Sequence, residues 1–174
     1  MTDPFDIRRA AASDAAALAA FATRLFRATY SDDTAAADLD LYIAKAFTPD
    51  MQAAEIADPS GAVFVATTGG TLAGYAQLVV PASQPGTAVL SRIYIDADWR
   101  GRGLAKNLLD AVVAECAARG VQHLQLTVYE KNARAIAFYT KVGFVVTGST
   151  TFTVGDDVQK DVVMELDLSV GQRP

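Results

Sequence analysis

The sequence predicts an α+β fold in which antiparallel hairpins are combined with one parallel crossover. Two pairs of strand-like segments are each joined by a short turn that contains glycine, as in β-hairpins. The turns are Thr68-Gly69-Gly70 and Gly155-Asp156-Asp157. Between them, an apolar run over residues 88–95 leads through a glycine-rich turn into a long helical pattern and then another strand, which is typical of a β–α–β unit. The length of 174 residues fits a single domain over 1–174.

The sequence pattern of the N-terminal third predicts one strand followed by three helices. Residues 5–9 are a short strand candidate, and Ser13-Asp14 is typical of a helix start. The apolar residues of the helix that follows recur on one face: Leu18, Phe21, Ala22, Leu25 and Phe26. Residues 31–47 predict a second helix, rich in aspartate near its start, and Thr48-Pro49 predicts a short third helix that ends near residue 57.

The sequence pattern of the remaining residues predicts six strands and two helices. Strands are expected at 62–67, 71–80, 88–95, 121–129, 144–154 and 159–168. Helices are expected at 104–119 and 133–142. Asn132 can cap the second of these helices, and Gly120 and Gly143 suit the residues that follow the two C-terminal ends.

Composition narrows the class of protein. A hydrophobic content of 51% with 20% charged residues is typical of a globular domain. No apolar run is long enough to span a membrane and the first residues lack an export pattern, so we expect a cytoplasmic protein without a membrane partner. The net charge of −5 argues against nucleic-acid binding and weakly favours cationic small molecules, and a single cysteine excludes a cysteine-based zinc site. No metal is expected.

The glycine-rich turn Arg100-Gly101-Arg102-Gly103-Leu104-Ala105 is the first candidate site. A helix that starts there leaves backbone N–H groups free, and Arg100, Arg102 and Lys106 add positive charge, so the turn predicts a bound pyrophosphate. It lacks the third glycine of a dinucleotide-binding motif and the lysine-serine/threonine ending of a P-loop. The alternative is a loop that merely reverses the chain.

The segment 132–144 is the second candidate, because it places an amide, a phenol and a cation on one short helix: Asn132, Tyr139 and Lys141. As alternatives, Tyr139 is a core aromatic residue and Asn132 only a helix cap. His123 and Cys116 are interpreted as structural residues. Four aspartates could line an amine pocket or favour a helix N-terminus and its solvated face: Asp32, Asp33, Asp38 and Asp40.

The two clusters, in this order and spacing, resemble those of the GNAT superfamily of acyl-CoA-dependent N-acyltransferases. Its first motif is an arginine or glutamine, two residues, glycine, one residue, then glycine or alanine, and Arg100, Gly103 and Ala105 fit it. Its second motif is matched by Asn132, Ala135, Phe138, Tyr139, Gly143 and Phe144. Segments 26–30, 42–51 and 148–164 are similar to the bacterial spermidine/polyamine acetyltransferases.

The resemblance implies a splayed, mostly antiparallel mixed sheet of about seven strands with four or five helices, and acetyl-CoA as co-substrate. It implies that the cofactor is held by the strand Ile93, Tyr94, Ile95, by the turn Arg100, Gly101, Arg102, Gly103, Leu104, Ala105, and by Asn132 and Lys141. It makes Tyr139 the general acid at the leaving thiolate, a proton transfer that a phenol can perform. Tyr30 and Tyr129 are expected beside the acceptor.

The general base and the acceptor stay open. Relatives often carry a glutamate where this chain has Val89, and Glu130, a water chain and Tyr30 are the remaining candidates for the base. A small primary amine, with polyamines first, is the leading acceptor. A protein N-terminus or an amino acid is the second hypothesis, and a non-catalytic acyl-CoA-binding module the third, although a pure binder needs no acid such as Tyr139. A homodimer is left open.

Overall fold

The computed structural model describes residues 4–169, which form seven strands and five helices. The strands are β1 Asp6–Arg9, β2 Gly61–Thr68, β3 Thr71–Val79, β4 Thr87–Ile95, β5 His123–Tyr129, β6 Val145–Val154 and β7 Asp157–Asp167. The helices are α1 Ala15–Tyr30, α2 Ala36–Ala46, α3 Pro49–Ala57, α4 Leu104–Ala118 and α5 Ala133–Lys141. Within residues 4–169, none of these helices is both long and apolar enough to cross a lipid bilayer.

All seven strands belong to one sheet, in the order β1-β2-β3-β4-β5-β7-β6. The neighbours are antiparallel except β4 and β5, which run parallel and are connected through α4. A parallel pair needs such a crossover connection, whereas hairpins join β2 to β3 and β6 to β7. The α+β class and the mixed, mostly antiparallel sheet predicted from the sequence are therefore confirmed.

Strands β4 and β5 part after three residues. They pair only between Thr87–Val89 and the first three residues of β5, which begins at His123. On its other edge β4 stays paired with β3 as far as Ile95, and β5 stays paired with β7 as far as Tyr129. The second halves of the two central strands therefore diverge, and each presents backbone N–H and C=O groups to the gap.

Helices cover both faces of the sheet. Helix α4 buries Leu104, Leu108 and Val112 in one core, which also contains Tyr139 of α5. Helix α1 buries the apolar face predicted from its sequence in a second core, together with Tyr75 of β3. The gap between β4 and β5 is thus flanked by α4 and α5 on one side and by α1 and α2 on the other.

The predicted second helix begins later than expected. Its sequence predicted a start at residue 31, but residues 31–34 form a turn and α2 starts at Ala36. The turn is held from a distant strand, because the buried Gln159 side chain donates a hydrogen bond of 2.6 Å to the Thr34 hydroxyl. Helix α3 starts as predicted, with the Thr48 hydroxyl accepting from the Met51 N–H.

Candidate active site

The gap between β4 and β5 opens into a cleft of about 690 Å³. Nearly all the site residues predicted from the sequence line it: Tyr30, Ile93, Tyr94, Ile95, Arg100, Gly101, Gly103, Leu104, Ala105, Tyr129, Asn132, Tyr139 and Lys141. Arg102 is the exception, since its guanidinium lies 4.9 Å from the centre of the Trp99 ring and outside the lining. The fold thus brings together residues that are more than a hundred positions apart.

The glycine turn forms one end of the cleft. Gly101 and Gly103 have φ angles of 75° and 84°, in the left-handed region that suits glycine, and α4 starts directly after them at Leu104. The Asn107 N–H donates to the Gly103 carbonyl at 3.1 Å and so completes the first helical turn. The N–H groups before it lack intrahelical acceptors and can bind an anion.

Four positive side chains line the cleft, and two of them, Arg100 and Lys106, belong to the glycine turn and the first turn of α4. Arg100, Lys106, Arg134 and Lys141 all line it, and Lys106 also pairs with Asp110 at 2.9 Å. Partial burial and the nearby Arg134 charge lower the pKa of Arg100. Two guanidinium groups held close together are suited to a polyanion such as a pyrophosphate. Arg134 was missed as a site residue, because only the fold brings the start of α5 beside the glycine turn.

Tyr139 of α5 and Asn132, the residue just before this helix, both line the cleft. Tyr139 is only 7% exposed and its ring packs edge-on against Phe144, with the centroids 5.4 Å apart. Burial raises the pKa of the Tyr139 phenol, so it is protonated at neutral pH. Asn132 caps α5, accepting from the Ala135 N–H at 3.2 Å, as the structural interpretation predicted, and it also faces the cleft.

Aromatic side chains form the other end of the cleft. The Phe26 and Tyr42 rings are stacked with centroids 4.6 Å apart, and Tyr42 contacts Phe152 at 5.3 Å. Tyr30 lies 5.6 Å from Tyr129 by the same measure. Burial, followed by the Asp161 charge, raises the pKa of Tyr30 well above its ordinary value, so Tyr30 is protonated at neutral pH. It is therefore a poor proton acceptor.

Asp161 is the only carboxylate that lines the cleft among residues 4–169. It lies on β7 opposite Tyr129, is 4% exposed, and its Oδ1 atom has no hydrogen-bond partner in the described structure. Burial raises the pKa of Asp161, and the neighbouring Thr127 hydroxyl opposes part of that rise. The sequence interpretation assigned it no function, although an acidic residue before the apolar run 162–164 was a signal that could have found it.

The predicted aspartates at residues 32–40 do not line the cleft. Asp38 Oδ1 accepts the Asp156 N–H at 2.9 Å and fixes the β6–β7 turn against α2. Asp40 pairs with Arg27, and Asp33 lies 3.6 Å from Lys131. Of the two alternatives left open for these residues, the amine pocket is therefore wrong. The other agrees with the structure, since Asp38 lies in the first turn of α2 and Asp40 is exposed on the same helix.

The other candidate residues also fall outside the cleft. Glu130 is exposed and does not line the cleft, so the structure does not support it as the general base. His123 is the first residue of β5, and its Nδ1 atom lies 3.1 Å from a Glu165 carboxylate oxygen. Cys116 of α4 is buried in the core. The structural interpretation of both residues agrees with these positions.

Comparison with known proteins identifies relatives of most of the chain. The model of the acetyltransferase (GNAT) family matches residues 19–144. An uncharacterized N-acetyltransferase of Mycobacterium tuberculosis is 31% identical over 156 residues, 90% of this chain and 99% of that protein. The ribosomal protein bS18-alanine N-acetyltransferase of Escherichia coli is 31% identical over 109 residues, 62% of this chain and 72% of that protein. The structure of PaiA N-acetyltransferase from Thermoplasma acidophilum in complex with coenzyme A has a TM-score of 0.82 at 22% identity, covering 96% and 99% of the two chains, and shows the shared fold.

Proposed function

This chain belongs to the acetyltransferase (GNAT) family and is an acyl-CoA-dependent acetyltransferase, and from that premise we propose that it acetylates a small primary amine. The observation that carries the proposal is the division of one cleft into two chemically different ends. The end at Arg100 and Arg134 suits phosphates, and the end at Asp161 suits a cation with an apolar stem.

The cofactor placement follows from the polar groups that the cleft exposes. We place the pyrophosphate of acetyl-CoA at the first N–H groups of α4, where the helix dipole and the surrounding cations favour negative charge. The pantetheine arm would lie along Ile93–Ile95, where the backbone of β4 has no strand partner on the β5 side. Asn132 and Lys141 would contact the same molecule from α5.

The acetyl transfer needs a hydrogen-bond donor for the developing oxyanion and a general acid for the leaving thiolate. When the amine nitrogen attacks the thioester carbonyl carbon, the carbonyl oxygen becomes negative, and a backbone N–H near Tyr94 would stabilise it. The C–S bond then breaks and the thiolate takes the proton of Tyr139, which burial keeps in its protonated form. Burial also disfavours a charged thiolate, and this favours proton transfer from Tyr139 to the sulfur.

The acceptor end of the cleft favours a small molecule over a protein chain. The hydrogen bond between Asp156 and Asp38 closes the β6–β7 turn against α2, and Tyr30, Tyr42 and Phe152 meet behind it. A polyamine finds only one carboxylate among the cleft-lining residues of 4–169, because Glu55 is ion-paired with Arg92 at 2.8 Å and does not line the cleft. We therefore expect monoamines and short diamines to be better acceptors than spermidine or spermine.

A protein N-terminus is the second candidate acceptor. It is favoured by the identity of 31% with the bS18-alanine N-acetyltransferase, which is confined to 62% of this chain. Short peptides that begin with alanine test it directly.

An acetyl-CoA turnover screen distinguishes these acceptors. Monoamines, diamines, spermidine, amino acids and alanine-led peptides are each incubated with acetyl-CoA, and the N-acetylated product is identified by mass. Calorimetric titration with acetyl-CoA and with NAD tests the cofactor separately. Product from peptides alone would replace the small-amine proposal with the second candidate, and tight acetyl-CoA binding without product from any acceptor would indicate the non-catalytic module.

A further inference from the structure

The buried carboxylate of Asp161 has no function in the reaction described so far. Its Oδ1 atom is buried without a hydrogen-bond partner in the described structure. The Thr127 hydroxyl is a polar neighbour of the carboxylate, and the phenol rings of Tyr30 and Tyr129 line the same cleft. Burying a carboxylate oxygen without a partner is unfavourable, and a ligand that enters the cleft can supply the missing partner. The ligand that fits a carboxylate among aromatic rings is an ammonium group with an apolar stem.

The other candidates for the proton acceptor are poorly placed. Glu130 is exposed outside the cleft, and Tyr30 is held in its protonated form. Val89, at the position where relatives often carry glutamate, has no proton-accepting group, and it lies where β4 and β5 are still paired. Burial raises the pKa of Tyr30 and of Tyr42, and the Asp161 charge contributes to both shifts, in keeping with its place in the same cleft.

We propose that Asp161 Oδ1 receives the amino group of the acceptor and takes its proton before the nitrogen attacks acetyl-CoA. The proposal rests on the proposed function and adds the identity of the general base. Asp161 then touches the reacting nitrogen and is a catalytic residue.

The proton balance of the reaction is complete with this assignment. The acceptor enters as R–NH3⁺ and gives one proton to the Asp161 carboxylate, a transfer that burial favours because two neutral groups replace a buried ion pair. The neutral nitrogen bonds to the carbonyl carbon, the C–S bond breaks, and the thiolate takes the Tyr139 proton. The N-protonated amide formed in this step gives its extra proton to the Tyr139 phenolate and becomes the neutral product, and Asp161 releases its proton to solvent.

The test compares Asp161→Asn with Asp157→Asn, the same change on the same strand at the β6–β7 turn and outside the cleft. For the best amine of the screen, Asp161→Asn should lower kcat/KM about 10²–10⁴-fold near neutral pH. The loss should shrink as the pH rises toward the amine pKa of about 10, because neutral amine is then supplied by the solution. The acetyl-CoA Kd should stay within about twofold, and Asp157→Asn should behave as the wild type.

Two results would overturn the assignment. Wild-type turnover in Asp161→Asn would indicate a water chain as the base, and a loss that is equal at every pH would indicate a purely structural residue. A failure of the proposed function can be distinguished from both results, because the wild-type protein itself would then acetylate no amine.

A stability measurement tests the unpaired carboxylate without relying on activity. The pKa of Asp161 is raised in the folded state, so the folded protein holds this proton more tightly and its stability falls as the pH rises from the ordinary aspartate range through that raised value. Asp161→Asn should therefore raise the unfolding midpoint by about 2–4 °C near neutral pH and leave it unchanged below about pH 3.5. A lower midpoint near neutral pH would show that a group within the protein pairs with the carboxylate, and the proposal would fail.

Discussion

Tyr139→Phe separates the proposed acid chemistry from packing. The substitution removes one hydroxyl from a ring that is 7% exposed and keeps the contacts of that ring with Phe138 and Phe144, both at 5.4 Å between centroids. The free energy of unfolding should therefore change by about 1 kcal/mol or less.

The expected loss of turnover is much larger than the loss of stability. A positioned general acid contributes about 10²–10⁴-fold, which corresponds to about 2.7–5.5 kcal/mol of activation free energy. The acetyl-CoA Kd should change by less than about threefold, because at most one neutral hydrogen bond is lost. Since burial raises the pKa of Tyr139, the phenol stays protonated across the neutral range, and the loss should be constant there.

The assay follows thiol release from acetyl-CoA in the presence of the best amine, with product mass as a check. Tyr75→Phe is the matched control, because Tyr75 is 1% exposed on β3 and does not line the cleft. The control should keep wild-type turnover. If Tyr139→Phe also keeps wild-type turnover, Tyr139 is a packing residue and the thiolate takes its proton elsewhere.

Three further outcomes follow from the cleft and the core. Arg100→Ala and Arg134→Ala should each weaken acetyl-CoA binding about three- to thirty-fold in calorimetry, with a smaller effect at about 0.5 M salt; equal losses at both salt concentrations would argue against a phosphate contact. Gly103→Ala should lower the free energy of unfolding in urea by about 1–2 kcal/mol, because alanine is strained at a φ of 84°, and an unchanged midpoint would show that the turn relaxes. Burial raises the pKa of the Cys116 thiol to about 11, so a thiol reagent should label the protein only after denaturation, and rapid labelling of the folded protein would contradict its position in the core.

The local elements of this protein were predictable because each depends on residues close together in the chain. The α1 face, the Thr48 and Asn132 caps, and the turn at Gly101 and Gly103 follow from helix periodicity and backbone sterics. The crossover between β4 and β5 followed from element order alone. Where the predicted bounds differ, as at the start of α2, a distant side chain decides the outcome.

The candidate site divides in the same way. The sequence by itself determined the glycine turn before α4 and the position of Tyr139 on a short helix, since both lie within continuous motifs. Only the tertiary structure decided that Arg134 lies near Arg100 and that Asp161 faces the cleft opposite Tyr129. These contacts depend on sheet order, strand register and the divergence of two central strands, and they are set by packing between segments that no local pattern relates.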